Sequence, residues 1–257
     1  MDLAQITPLL ITYDERENLP RTLAALVWAA RIVAVDSGSR DGTRELLAAD
    51  PRVELLTRSF DSFADQCNFG LAAVRTPFTL TLDADHVVTP EFLAMLKALD
   101  ADATAGWTTP FIYCVAGRRL RATLLPPRVS LFRTARGRFA NDGHAHSVIV
   151  DGPVQALSAP LLHDDRKPLA RWLQAQQRYA PQESAKLRAR RWSQLGWADR
   201  LRRLGLGPVL VLPYCLLIRG LVLDGWHGLH YSVQRLYAEV LLLLCLLDDA
   251  LRARTAA

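Results

Sequence analysis

Apolar positions in the first hundred residues change period repeatedly. Short alternating or wholly apolar runs, Ile6–Ile11, Ile32–Val35, Val53–Leu56 and Phe78–Leu82, are each followed by a segment with helical spacing: Leu19–Ala29, Thr43–Ala49, Ala64–Val74 and Pro90–Leu99. Strand and helix in strict alternation predict a parallel, doubly wound α/β sheet with right-handed crossovers. Turn and cap residues agree, because Asp36-Ser37-Gly38-Ser39 leaves a strand, Asp41-Gly42-Thr43 can open a helix and Pro90 suits a first helical turn. From Gly106 to Leu162 the runs shorten and are broken by Gly, Pro and Arg. Trp107–Val115, Val129–Phe132 and Val148–Val150 are expected as further strands, partly antiparallel, that close over the sheet edge.

Beyond Pro168 the pattern is helical. Residues 168–203 carry a basic face, and two strongly apolar stretches follow, Leu204–Ile218 and Val240–Leu247. Each is shorter than the roughly 20 apolar residues that span a bilayer, and the first contains Pro208 and Pro213. The expected division is therefore a catalytic α/β domain at 1–165 and a basic, apolar helical region at 166–257.

Charge sharpens that division. Residues 1–165 hold 16 Lys/Arg against 20 Asp/Glu, 166–203 hold 11 against 2, and 204–257 hold 4 against 4. A basic segment beside an apolar one suits an interfacial helix pair on an anionic membrane surface; a buried helical hairpin or a homo-oligomer interface stays open. Cys67, Cys114, Cys215 and Cys245 are widely spread, which indicates neither a disulfide framework nor a zinc site. The start, Met1–Gln5, has no basic segment followed by a long apolar one, so the catalytic part is expected in the cytoplasm, at the inner face of the cytoplasmic membrane.

The chemistry gathers where strands end. Phe78–Leu82 runs into Asp83-Ala84-Asp85-His86, two carboxylates one residue apart at the ligand-binding edge of an open sheet. That placement suits a hard divalent cation, Mn²⁺ or Mg²⁺, shared with a substrate phosphate; the plain alternative is a solvated turn. The first strand leads into Thr12-Tyr13-Asp14-Glu15-Arg16-Glu17-Asn18-Leu19 and the second into Val35-Asp36-Ser37-Gly38-Ser39-Arg40-Asp41-Gly42-Thr43. Acids there can accept hydrogen bonds from a nucleoside, while the absence of G-x-G-x-x-G argues against a dinucleotide cofactor.

With these motifs the chain resembles the inverting family 2 glycosyltransferases of GT-A fold; it is similar in particular to bacterial enzymes that build lipopolysaccharide core or other envelope glycans, because the tail Arg219-Gly220-Leu221-Val222-Leu223-Asp224-Gly225-Trp226-His227-Gly228-Leu229-His230-Tyr231 also looks like theirs. The resemblance implies a base pocket with Thr12 and Glu15, Asp36 as the nucleotide-holding acid, Asp83 at the ribose or the metal shell, and Asp85 as metal ligand. Asn68 would also face the donor, and His163, in His163-Asp164-Asp165-Arg166-Lys167, would lie near the metal or simply cap a helix. Two departures stand out: Asp14 where the family often has Asn, and Cys67 where it often has a cation before Asn68. Arg128 and Arg133 are candidates to replace that cation, Arg133 first. Related enzymes carry a His-Glu pair where this chain has His146-Ser147, which leaves Asp142 as the catalytic base, or else as part of an Asp-Gly turn. His144 and His146 lack a third ligand at a zinc spacing.

The activity implied is metal-dependent transfer of a sugar, with inversion, from a nucleotide-diphosphate sugar, uridine by preference, to a lipid-linked or envelope glycan acceptor. Nucleic acid is not an implied partner. A sugar-phosphate nucleotidyltransferase would be expected to carry a Gly-rich loop after the first strand, which Thr12–Leu19 lacks. A non-catalytic nucleotide- or glycan-binding membrane protein is the other alternative.

Overall fold

A computed structural model describes residues 1–142 and 145–255, without the side chains of Asp142, Ala145 and His146. The chain divides into two compact units, Met1–Arg119 with Thr123–Arg166, and Leu120–Ala122 with Lys167–Ala257.

The first unit is built on a seven-stranded sheet. In chain order its elements are β1 (Ile6–Thr12), α1 (Leu19–Ala25), β2 (Ile32–Asp36), α2 (Thr43–Ala49), β3 (Val53–Thr57), α3 (Phe63–Leu71), β4 (Phe78–Asp83), β5 (His86–Val87), α4 (Pro90–Ala98), β6 (Gly106–Thr109), β7 (Phe111–Val115), β8 (Arg118–Arg119), β9 (Arg128–Arg133), β10 (Gly137–Asp142), β11 (Ala145–Val150), β12 (Val154–Ala156) and β13 (Leu161–His163). The sheet order is β12-β6-β9-β4-β1-β2-β3; β1 to β4 are parallel, and β9 is antiparallel to both β4 and β6. The parallel α/β sheet expected from the alternation is present. Strands buried on both faces, such as β2, are apolar up to the residue at the sheet edge, here Asp36, because helices cover each side. Ile6, Leu10, Ile32, Leu80, Leu82 and Phe92 fill one face, and Leu9, Val33, Val35, Ala64 and Cys67 fill the other. At Gly70 of α3 a Cβ would fall 2.5 Å from Leu9 and 2.6 Å from Val35, so only glycine lets the helix approach the sheet this closely.

Helix ends differ from the periodic pattern for local reasons. α1 stops at Ala25 rather than Ala29, because the Arg52 guanidinium, held by Asp50, donates to the Leu23 and Leu26 carbonyls and closes the helix end. The expected strand Trp107–Val115 is two strands. Pro110 supplies no N–H to a ladder and separates β6, in the main sheet, from β7. β7 joins a second small sheet in the order β5-β13-β7-β8.

The second unit contains α5 (Leu169–Ala189), α6 (Trp197–Arg203), α7 (Gly207–Pro213), a π-helical turn at Tyr214–Ile218, a 3-10 turn at Leu221–Asp224 and α8 (Gly225–Thr255). Leu187 of α5, Leu195, and Leu242 with Leu246 of α8 form its apolar cluster. Arg202 of α6 donates to Glu239 of α8 at 2.9 Å; burial works against its charge, but the neighbouring carboxylate outweighs it and raises its pKa. Asp224, also buried, accepts from the Arg121 backbone at 2.9 Å, which fixes the turn before α8.

Candidate active site

All parts of the candidate site described below belong to the first unit. β4 delivers Asp83 to the carboxyl edge of the main sheet, and the chain turns at once into β5. Three hydrogen bonds set that Asp-Ala-Asp turn. Thr22 of α1 donates to the Ala84 carbonyl at 2.6 Å, the Asp164 N–H donates to the Asp85 carbonyl at 2.9 Å, and the Asp83 N–H donates to His86 Nδ1 at 3.0 Å. The carboxylates are therefore aimed by backbone bonds from three separate segments.

β13 brings in the remaining group. It pairs antiparallel to β5 in the register His163↔His86, which places His163 Nε2 3.7 Å from Asp85 Oδ2. Tyr113 of β7 stacks on the His163 ring with centroids 4.8 Å apart. Asp85 Oδ1 and His163 Nδ1 are buried and have no hydrogen-bond partner. Unsatisfied buried polar atoms are costly, and each of these side chains carries one in addition to the atom that makes the 3.7 Å approach. Asp85, His86 and His163 lie close enough together to share a metal ion. A separation of 3.7 Å lets one cation touch both Asp85 and His163 at the roughly 2.1 Å of a Mg²⁺–oxygen bond.

His86 takes a different role. Its Nδ1 accepts the Asp83 N–H, so the neutral ring carries its proton on Nε2, which lies 3.6 Å from Asp83 and 3.9 Å from Asp85. Burial lowers its pKa below the usual 6.5, only partly opposed by Asp83 and Asp85, so the ring is neutral near pH 7. A neutral imidazole in that tautomer presents N–H to the carboxylates rather than a lone pair to a cation. Of the three, Asp85 and His163 are thus the pair that could hold a metal ion, with His86 as a donor behind them.

A second network locks the strap that follows His163. Asn18 is fully buried, with both donors and both acceptors engaged. Its Nδ2 donates to Glu15 at 2.8 Å and Asp165 at 2.9 Å, while its Oδ1 accepts from Arg21 at 2.8 Å and the Arg166 N–H at 2.9 Å. Buried Asp164 receives both arms of Arg166, at 2.7 and 2.9 Å. Glu15 is therefore held at the mouth of the first loop by Asn18 and by its own N–H to Thr43.

The other expected site residues are placed differently. Asp36 ends β2 at the correct edge but is fully buried; it accepts from the Gly38 and Ser39 N–H groups at 3.0 and 2.9 Å, and from the Ser39 and Thr12 hydroxyls. Thr12 thus serves Asp36, and a nucleoside contact at either residue has to displace one of these bonds. Asp41 is a turn former before α2, whose cap position is Gly42: burial pushes its pKa up, but the Thr43 hydroxyl and the Arg16 and Thr43 N–H groups hold it below the usual value. Asn68 exchanges both amide bonds with the Phe139 backbone, at 2.9 and 3.0 Å, and clamps α3 to β10 instead of facing a donor. Arg133 needs correcting. Its register partner is Phe78, at the far end of β4 from Asp83, and its guanidinium donates to the Ala101 and Thr104 carbonyls. Arg128, at the other end of β9, is the arginine at the Asp83 edge. Asp142 is the last residue of β10, paired with Ala145 at the closed end of the hairpin. Its side chain, with Gly143 and His144, lies outside the described residues.

Comparison with known proteins gives a family match and a fold match. Residues 9–150 match the model of glycosyl transferase family 2, a span that includes Asp36, Asp85 and Asp142 and stops short of His163. The lipopolysaccharide core biosynthesis glycosyltransferase LpsC of Rhizobium meliloti is 28% identical over 173 residues, which cover 62% of this chain and 62% of that protein's length. The mannosyltransferase PcManGT of Pyrobaculum calidifontis, solved with GDP-Man and Mn²⁺, shares the fold at a TM-score of 0.54 and 14% identity, over 95% of this chain and 87% of that one. S. aureus TarS 1-349 in complex with UDP aligns at a TM-score of 0.49 and 14% identity, over 98% and 92%.

Proposed function

The chain belongs to glycosyl transferase family 2, and we propose that it transfers a sugar, with inversion, from a nucleotide-diphosphate sugar to a hydroxyl of an envelope glycan. The observation that carries this reading is the pairing of Asp85 with His163 at the carboxyl edge of the sheet, each with a buried atom that lacks a partner. Those two residues would hold a divalent cation, which when bound supplies charge to offset the leaving diphosphate. PcManGT, which shares the fold, holds GDP-Man and Mn²⁺, and LpsC is a core glycosyltransferase; both support the donor and acceptor classes.

The residues of the chain divide the remaining work. Thr22, Asp164 and His86 fix the Asp83–Asp85 turn before a donor arrives, so no reorganisation of it is needed during reaction. Arg128 offers a cation to the diphosphate at the Asp83 edge. Asp142 takes the proton of the acceptor hydroxyl as its oxygen bonds to the anomeric carbon and the bond to the diphosphate breaks. The products are a lengthened glycan and a nucleoside diphosphate.

Calorimetry with uridine and guanosine diphosphates, with and without Mn²⁺, tests the site, and product analysis tests the reaction. Binding that is indifferent to Mn²⁺ in the parent and in Asp85→Asn defeats the metal reading. Release of pyrophosphate instead of nucleoside diphosphate makes the chain a nucleotidyltransferase.

A further inference from the structure

The second unit leaves an unusual amount of apolar surface uncovered, and it is ordered by geometry. On α7 and the π-turn, Leu206, Val209, Leu210, Pro213 and Leu217 are exposed at helical spacing, while Gly207, Val211 and Cys215 between them are buried. The apolar stripe thus faces outward, the reverse of a helix packed on a core. At the turn that follows, Leu217 is 70% exposed, Ile218 75% and Trp226 82%, with Val222 and Leu223 exposed between them. Gly220 and Gly225, at φ 68° and 58°, permit the tight turn, and the helical segments on either side are bent by 71°. Among the described residues no single helix is long and apolar enough to cross a membrane; only this bent pair passes by length and composition.

Charge selects the occupant. Residues 200–223 contain no carboxylate and four arginines; Arg202 is held by Glu239, which leaves Arg200 and Arg203 before the apolar stripe and Arg219 after it. The segment leading into α6 adds exposed Trp192 and Trp197, with Arg200 over the Trp192 ring at 5.8 Å. Tryptophan and arginine at the boundary of an outward apolar face fit the headgroup layer of an anionic bilayer, where the rings and guanidinium groups stay at the polar level and the aliphatic groups sink below it.

We propose that the outer face of α7 and the turn through Trp226 form a shallow membrane wedge, seated in the interface of an anionic bilayer rather than spanning it. Val240–Leu247, the other apolar stretch, buries Leu242 but also exposes Val240, Leu244 and Leu247; it is not the main anchor, because Asp248 and Asp249 follow it directly and an anionic surface repels them. The proposal stands apart from the glycosyltransferase reading and has a separate readout.

The test uses the full chain with vesicles of phosphatidylcholine alone or with 30% phosphatidylglycerol. The parent is expected to float with anionic vesicles, weakly with neutral ones, and the fluorescence of its exposed tryptophans, Trp192, Trp197 and Trp226, is expected to be quenched more by shallow than by deep brominated acyl chains. Leu217→Ser, Ile218→Ser and Trp226→Ser should each lower partitioning by about tenfold, with unchanged thermal unfolding, since these side chains make little contact within the protein. Nucleoside diphosphate affinity should not move. Failure of the parent to bind anionic vesicles overturns the proposal, as does full binding by the combined variant. Stronger quenching by deep bromines means a spanning pair. A vesicle-free dimer that dissociates on Trp226→Ser means the wedge covers a second copy.

Discussion

Asn18→Asp changes no atom positions and inverts two contacts. In the parent, the Nδ2 of fully buried Asn18 donates to the partly buried Glu15 and Asp165 carboxylates at 2.8 and 2.9 Å. In the variant an oxygen takes its place, and two hydrogen bonds to charged groups, worth about 1.5–3 kcal/mol each, become contacts between like charges. The bonds accepted from Arg21 and the Arg166 N–H survive and gain charge, which offsets about 1–2 kcal/mol. The net loss is about 2–4 kcal/mol, or a fall in Tm of about 5–15 °C for a chain of this size. The new carboxyl is fully buried and faces two carboxylates against the single charge of Arg21, so its pKa is raised and it regains a proton as pH falls. The gap between variant and parent should therefore narrow from pH 7.5 to pH 5. Differential scanning calorimetry at both pH values measures it. A variant within 1 °C of the parent at pH 7.5 (roughly the smallest shift this reasoning resolves), or a gap that widens on acidification, refutes the idea that Asn18 is the knot holding the strap after His163.

Four further outcomes are expected. Asp85→Asn should abolish the Mn²⁺-dependent part of stabilisation by nucleoside diphosphate, which at 100 times Kd amounts to about 2.7 kcal/mol in the parent; a retained Mn²⁺ increment in thermal melts counts against the assignment. Arg128→Ala should weaken diphosphate binding about tenfold, whereas Arg133→Ala should leave binding alone and cost about 1–3 kcal/mol of stability, since two carbonyls lose their donor; titration and unfolding measure the two effects. His86 is neutral and buried with a lowered pKa, so its contribution is complete above pH 6.5 and is lost as pH falls, because the unfolded chain takes the proton first. The slope is at most about 1.4 kcal/mol per pH unit, and His86→Gln should flatten that part of the stability curve. Asp142→Asn should keep donor binding and lower turnover by about 10²–10⁴-fold; parental turnover moves the base elsewhere.

The main sheet was legible in the sequence because its strands are buried on both faces and its helices on one, so burial imposes two different periods on the chain. The small sheet was not. β5 has two residues and β13 three, too few to display any period, and their meeting joins positions 86 and 163 across most of the unit. That pairing places His163 beside Asp85. His86 went unread for a related reason: its chemistry depends on a tautomer chosen by the Asp83 N–H, and a residue type carries no tautomer. Asn68 illustrates the opposite case, a side chain whose motif position implies a ligand while the fold spends both ends of its amide on Phe139.

The choice between Arg128 and Arg133 turned on strand direction alone. The two residues begin and end one six-residue strand and so lie about 17 Å apart at the usual rise. In a parallel strand the C-terminal arginine would reach the edge where Asp83 lies. β9 instead runs against β4, with Leu131 opposite Leu80 and Arg133 opposite Phe78, so the order is reversed and the N-terminal arginine arrives there. Apolar alternation is blind to this, because Val129–Phe132 buries the same side chains whichever way it runs. The connections do not reveal the direction either: from β6 the chain passes through β7, β8 and a long loop before returning between β6 and β4, and a return of that kind can enter the gap from either end. Paired affinity measurements on Arg128→Ala and Arg133→Ala therefore test the antiparallel placement of β9 as directly as they test the diphosphate contact.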